Sequence, residues 1–372
     1  MYHMEERYVA SIVLHALGDT IGFKNGDWEF NYNKNVITYD TTNELLYEFI
    51  ALGGINAINL KDWRVSDDTV INMAMTRALL RIKGKYAALD ENMIILFKEE
   101  LVNAYNDMKD DEVNKKIFRH PGVTTNKYIR EFEKDHDGRD MPYDKRAGGN
   151  GAAMRTSVIG LAYWGEKNRD KLIEIAIESS KITHNNAIGY LAGLTSALFA
   201  AYAVEDIDII KWPFLLIDLL KTDRVKKFIT RDDSSEQDDY DAYSNYWRKY
   251  IDTRFDEKKA PITTRAQASL IFRSRYYYEN FTQGTKAIFI GESGYCATIM
   301  AYDSLLDSRN VWEKLIIYSA LHFGDSDTVA AIAASWYGAL YGFGDVPAKN
   351  LEYLEFKQDL LSLSHDLYKK YR

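Results

Sequence analysis

Cysteine is all but absent from this chain. Cys296 is the one such residue in 372, so no intramolecular disulfide can form, no thiolate zinc cluster can be built, and a reducing, cytoplasmic setting is expected. Proline is scarce too, with five residues, which leaves long helices uninterrupted. There is no excess of base: 47 Lys and Arg face 55 Asp and Glu, a formal charge of −8, and that balance argues against nucleic acid as a partner. The N-terminal residues lack the basic flank and small-residue cleavage site of a signal peptide. Long apolar runs are wanting as well, with one stretch to weigh. Residues 187–204 carry no charge and reach the lower edge of membrane-span length. They include Gly189, Tyr190, Gly193, Thr195, Ser196 and Tyr202 in a chain of mean hydropathy −0.36, so a buried helix of a large bundle is expected and a membrane partner is not.

What is present is apolar and aromatic. Hydrophobic residues make up 46% of the chain and aromatic residues 13%, which excludes disorder as the overall state. Val9, Ile12, Val13, Ala16 and Leu17 are spaced for a helix ending at Gly18 or Gly22. Comparable spacing recurs over 69–83, 91–109, 156–163, 169–181, 187–204, 211–221, 241–251, 297–306, 311–321, 328–341 and 353–370. Almost no alternating pattern accompanies it, so the fold class is all-α, a multi-helix bundle. Residues 24–62 read as a long irregular connection, a lid or Ω-loop, and 110–155 as a second one. The acidic run 232–241 reads as a solvated loop. No linker rich in Pro, Gly or Ser divides the chain, so residues 1–372 are expected to form one domain.

Two carboxylate clusters carry the chemistry. Ser66-Asp67-Asp68-Thr69 and Asp325-Ser326-Asp327-Thr328 each stand directly before an apolar helical run. One helix cap needs one Ser, Thr or Asp, so four such residues in a row, twice, exceed what capping requires. Carboxylates with hydroxyls are hard oxygen donors suited to Mg²⁺, Mn²⁺ or Ca²⁺. The positive end of a helix opposes a cation, and retaining a site against that field suggests use. A shared site would fold the two ends of the chain together. A third element is Gly148-Gly149-Asn150-Gly151, opening onto an apolar helix, where backbone N–H groups can receive a phosphate. It has neither the Rossmann nor the Walker spacing.

These residues carry a resemblance. Gly18-Asp19-Thr20-Ile21-Gly22, Trp28-Glu29-Phe30, Trp63-Arg64-Val65-Ser66-Asp67-Asp68-Thr69, the glycine run 148–155, Thr183-His184, Met300-Ala301-Tyr302-Asp303 and Gly324-Asp325-Ser326-Asp327-Thr328 occur in order over most of the chain. In them the sequence resembles the ADP-ribosylglycohydrolase family, and within it the ADP-ribosylarginine hydrolases. The resemblance implies an orthogonal all-α bundle with a cleft holding two Mg²⁺ ions, for which Mn²⁺ can substitute. Its metal ligands would be Ser66, Asp67, Asp68, Asp325, Asp327 and Thr328. Asp67 and Asp68 would be catalytic, with Asp68 handling the attacking water. Gly149, Asn150, Gly151 and Met154 would surround the diphosphate and proximal ribose, with His184 near the pyrophosphate.

The substrate implied is a mono-ADP-ribosylated protein or ADP-ribosyl-arginine, cleaved by a monomer. Glu29 would hold the planar guanidinium through two parallel hydrogen bonds, and Phe23 would stack on it. Two departures stand out. Ser293, Gly294 and Tyr295 occupy the adenosine end, where the arginine branch has a more glycine-rich loop with a histidine and an acid; Tyr295 would stack on adenine instead. Asn150 stands where near relatives often carry Cys. His3, His15, His120, His136, His322 and His365 show no metal-ligand spacing, with His322 a candidate support for Asp325. Alternatives are cleavage of serine or O-acetyl linkages, a non-catalytic member that binds ADP-ribose or serves a structural role, and a phosphohydrolase releasing AMP.

Overall fold

The structure, a computed structural model, describes residues 3–30, 39–134, 141–229, 234–282 and 289–372. Among them no strand occurs, and the chain is built from helices: α1 (Met4–Phe23), α2 (Tyr39–Ala51), α3 (Asp67–Arg81), α4 (Glu91–Asp110), α5 (Val123–Lys134), α6 (Ser157–Ala162), α7 (Arg169–Lys181), α8 (Ala187–Val204), α9 (Trp212–Leu220), α10 (Asp223–Lys226), α11 (Ser234–Arg254), α12 (Leu270–Phe281), α13 (Gly294–Ser308), α14 (Trp312–Ala320), α15 (Ser326–Tyr341) and α16 (Lys357–Tyr371). Their buried apolar side chains, from Tyr8 to Tyr371, form one connected cluster.

The inner layer is α1 crossed by α15, with α8 beside them. α1 does not stop at Gly18 or Gly22; it runs on until Lys24 takes a left-handed conformation at φ 42°. Both glycines serve packing instead. A Cβ at Gly18 would lie 2.5 Å from the Ala330 carbonyl oxygen, so α15 can approach α1 backbone to backbone only because the side chain is missing. α8 is capped by Asn186, whose side chain accepts from the Ile188 N–H. By length and composition α8 could cross a membrane, but 94% of it is buried inside the protein, as the sequence reading expected. Ser66 caps α3 and Asp90 caps α4, each accepting a backbone N–H of its own first turn.

Three expectations need correction. The connection 24–62 contains α2, and 110–155 contains α5, so neither is irregular throughout. The acidic run does not stay in a solvated loop. From Ser234 it forms the start of α11, where acids are favoured by the helix dipole. Glu236 is buried and accepts from the Tyr190 hydroxyl at 3.0 Å, while Asp239 accepts from Asn186 Nδ2 at 2.8 Å. Asp232 and Asp233 lie outside the described residues.

Candidate active site

The site begins with Asp19, near the C-terminal end of α1 and fully buried. Its carboxylate accepts the Ser66 N–H at 3.0 Å, the Thr69 N–H at 3.1 Å and the Thr69 hydroxyl. α1 therefore holds the first turn of α3 in place, and with it Asp67 and Asp68. Asp67 donates its N–H to the Arg119 carbonyl at 2.9 Å. The Arg119 guanidinium is in turn clamped by Asp111 and Glu355. On the other side Asp325 stands at the start of α15 without making a capping hydrogen bond to it. Its Oδ2 instead accepts from Asn150 Nδ2 at 2.8 Å. Capping thus accounts for Ser66 but not for Asp325.

The two clusters meet. The Thr328 hydroxyl donates to Asp68 Oδ1 at 3.3 Å across a sequence separation of 260 residues. Carboxylate oxygens of Glu29, Asp325 and Asp327 lie within 4.8 Å of one another. The carboxyls of Asp67, Asp68 and Asp327 are raised well above the usual carboxylate range, first by burial and then by neighbouring acids: Glu29, Asp19 and Asp325 at Asp67, Asp67, Asp19 and Asp325 at Asp68, and Glu29, Asp325, Asp68 and Asp19 at Asp327. Burial and Glu29 push Asp325 up to about 7. Burial raises Asp19 to about 6 although its hydrogen bonds pull the other way. Among the described residues no Lys or Arg ranks with the largest influences on these five acids, and Asp68 Oδ2 is buried without a hydrogen-bond partner there. Hard, buried, mutually repelling oxygens with one unmet acceptor fit a divalent cation.

The glycine loop lies alongside. Gly149 pairs in antiparallel fashion with Ser293, Gly294 donates its N–H to the Gly148 carbonyl at 3.0 Å, and Asn150 donates its N–H to the Glu292 carbonyl at 3.2 Å. A Cβ at Gly151 would lie 2.7 Å from His184 Cε1, so the loop rests directly on that ring. Burial lowers His184 to about 3, keeping it neutral, and its Nδ1 pairs with the Thr183 hydroxyl at 2.8 Å. Beneath the loop Arg155 donates to the Gly151 and Ser179 carbonyls at 2.8 and 3.0 Å, and burial lowers it to about 9. Met154 is buried, its carbonyl accepting from His15 and Asn72.

Ser66, Asp67, Asp68, Asp325, Asp327 and Thr328 are therefore brought together, with Gly149, Asn150, Gly151, Met154 and His184 next to them. Other expectations fail on packing. Phe23 is 1% exposed, its ring edge against His120, and offers no open face to a guanidinium. Tyr295 is 2% exposed and stacks on Tyr246 at 4.0 Å, so it does not await adenine. Glu29 is neither a surface acid nor a free carboxylate: it is buried, shares the acid cluster and accepts from His120 Nδ1 at 2.8 Å. His322 donates from Nε2 to the Ser319 carbonyl rather than supporting Asp325. Asp19 as a site residue and His120 were missed. An acid set in the apolar stripe of α1 was the available signal for Asp19; nothing local marked His120.

The protein is all-α, and its first and last thirds join buried acids into a centre that could hold a cation, beside a loop fit for phosphate. A sequence model described as ADP-ribosylglycohydrolase matches residues 2–372. The chain belongs to the ADP-ribosylglycohydrolase family, whose activity is hydrolysis of ADP-ribosyl linkages. It is 38% identical over 359 residues to a protein of Acanthamoeba polyphaga mimivirus that carries the provisional name ADP-ribosyl glycohydrolase L444, covering 95% of this chain and 66%, just under two thirds, of that one. It is 33% identical over 391 residues to ADP-ribosylhydrolase ARH1 of Dictyostelium discoideum, covering 98% of this chain and 94% of that one. It is 23% identical over 225 residues to ADP-ribosylhydrolase ARH3 of Gallus gallus, covering 59% of this chain and 58% of that one. The fold matches a solved structure described as an ADP-ribosylglycohydrolase-related protein complex, with a TM-score of 0.58, 16% identity and 99% of both chains covered.

Proposed function

We propose that the protein hydrolyses the N-glycosidic bond between ADP-ribose and a modified arginine side chain, as a cytoplasmic monomer of one domain that uses two Mg²⁺ ions. The observation that carries this reading is the meeting of two uncompensated acid clusters at the Thr328–Asp68 hydrogen bond. Near full-length similarity to a protein named ADP-ribosylhydrolase ARH1 supports cleavage of an ADP-ribosyl linkage, and the resemblance of Trp28-Glu29-Phe30 to the arginine branch points to arginine.

Asp67, Asp68, Asp325, Asp327, Ser66 and Thr328 would hold the cations, and Glu29 joins them in place of the guanidinium contact expected from sequence. Bound there, divalent cations supply Lewis acidity toward ribose hydroxyls and water. Asp68 has one oxygen fixed by Thr328 and one unpartnered. The free oxygen takes a proton from the attacking water and faces the ribose carbon as positive charge develops there. Asn150 keeps Asp325 oriented and binds the Gly291 carbonyl at 2.7 Å, joining the acid centre to the loop that receives the diphosphate. The neutral ring of His184 supports that loop from below.

A second reading, cleavage of serine or O-acetyl linkages, is favoured by the engagement of Glu29 with His120, which removes the expected guanidinium ligand. The deciding assay incubates the protein with arginine-linked and serine-linked ADP-ribosylated substrates and O-acetyl-ADP-ribose, with and without EDTA, and identifies the released nucleotide. EDTA-sensitive release of ADP-ribose from arginine is expected. Release from serine or O-acetyl substrates alone establishes the second reading, and AMP as product rejects both.

A further inference from the structure

We propose that His120 is a positioning residue of the acid centre, holding Glu29 by its Nδ1–H in the orientation that turns that carboxylate toward Asp325 and Asp327. The inference rests on the cation-binding reading above.

Glu29 sits on a segment that does not by itself fix a long side chain. The residues after α1 turn through left-handed conformations at Lys24, Asn25 and Gly26, and again at Phe30. Phe30 is tied by its N–H to the Gly324 carbonyl at 2.8 Å, which places the backbone but leaves the carboxylate free to rotate. His120 removes that freedom. Its Nδ1 lies 2.8 Å from Glu29 Oε2, and the carboxylate oxygens of Glu29 remain within reach of Asp325 and Asp327.

The imidazole is itself immobilised. Phe23 meets it edge on at a centroid distance of 5.0 Å, and Phe118 lies 4.8 Å away on a tilted plane. A Cβ at Gly26 would stand 2.8 Å from His120 Cε1. The backbone at His120 is left-handed, at φ 52°, and its neighbour Arg119 accepts the Asp67 N–H. The ring is thus referenced to Asp67 as well as to Glu29. Its side chain is 35% exposed against 6% for Glu29, so it stands between the carboxylate and solvent. In the assigned tautomer Nδ1 carries the proton and Glu29 Oε2 accepts it, so the role is one of geometry. Partners of this kind orient carboxylates for cations.

Two variants separate the hydrogen bond from the backbone. Asn tolerates the left-handed region and places an amide N–H where His has Nδ1, whereas Gly accepts the backbone and donates nothing. Titration calorimetry with Mn²⁺ is expected to show H120N near wild type and H120G about tenfold weaker, with circular dichroism confirming that both fold. E29Q and the double variant E29Q/H120G should bind Mn²⁺ equally, because the role of His120 passes through Glu29. Wild-type affinity in H120G, or equal weakness in H120N and H120G, overturns the role of His120 and leaves the cation site standing. Failure of the wild-type protein to bind Mn²⁺ removes the cation-binding reading and this inference with it.

Discussion

Two clusters of buried charge in this molecule have opposite characters. In the first, Asp303 on α13 accepts from Arg254 Nε at 2.7 Å, Arg273 at 2.8 Å, and the hydroxyls of Tyr250 and Tyr277 at 2.6 and 2.5 Å. Asp307, a turn later, takes further bonds from both arginines. In the second, Asp19, Asp67, Asp68, Asp325 and Asp327 lie together, and no Lys or Arg of the described residues ranks among the main influences on them. Burial pushes every one of these carboxyls upward. At Asp303 the two arginines and two hydroxyls outweigh it and bring the group to about 2. At Asp325 burial and Glu29 act together and the group reaches about 7. Burial is common to both, so the counter-charge decides the sign. Folding completes the first cluster and leaves the second to be completed by a ligand.

The largest way to break the contrast is Asp303→Ala, which removes one of the two acids that pair two buried guanidinium groups and leaves them Asp307 alone. A loss of about 3–5 kcal/mol is expected in denaturant unfolding, whereas Asp327→Asn in metal-free protein should be neutral or stabilising because it removes an uncompensated charge. Next is Asp68→Asn, expected to lower kcat about a hundredfold or more while cation binding persists. A variant that binds cations and turns over at the wild-type rate would remove Asp68 from the water-activating role.

The pH dependence sharpens the same contrast. Asp19 and Asp325 have folded values of about 6 and 7, above an ordinary 3.8. The folded state then holds protons that the unfolded state has released, so their contribution is full below about pH 4 and is lost as pH rises through 6 to 7. Asp303 acts the other way: its contribution is present above about pH 4 and is lost as pH falls toward 2. Metal-free protein should therefore melt higher at pH 5 than at pH 8, and saturating Mg²⁺ should raise the pH 8 value most. A metal-free melting temperature that rises from pH 5 to 8 contradicts the assignment. The smallest effect is Gly151→Ala. Its Cβ would press on His184, so ADP-ribose binding should weaken about tenfold, with thermal unfolding changed by about 1 kcal/mol or less.

Much of the site was legible because its residues sit in local runs that one helix N-terminus explains only in part. Ser66, Asp67 and Asp68, and Asp325, Asp327 and Thr328, declared themselves by that excess of oxygen donors. What escaped was set by neighbours distant in the chain. The phenol of Tyr295 could be named, but not that Tyr246 would cover its face. Glu29 reads from sequence as a guanidinium ligand, and only its contacts with His120 and with the acids of α15, far along the chain, place it in the acid cluster. The acidic run looked solvated until Tyr190 and Asn186 supplied partners for Glu236 and Asp239.

By itself the sequence determined the all-α class, most helix positions and the acids of the centre, because periodicity, capping and donor chemistry act over a few residues. Tertiary structure alone decided which buried charges are paired. Asp303 and Asp325 are both buried aspartates, and they differ in what folding places around them: two arginines and two phenols for one, an amide, a hydroxyl and other carboxylates for the other.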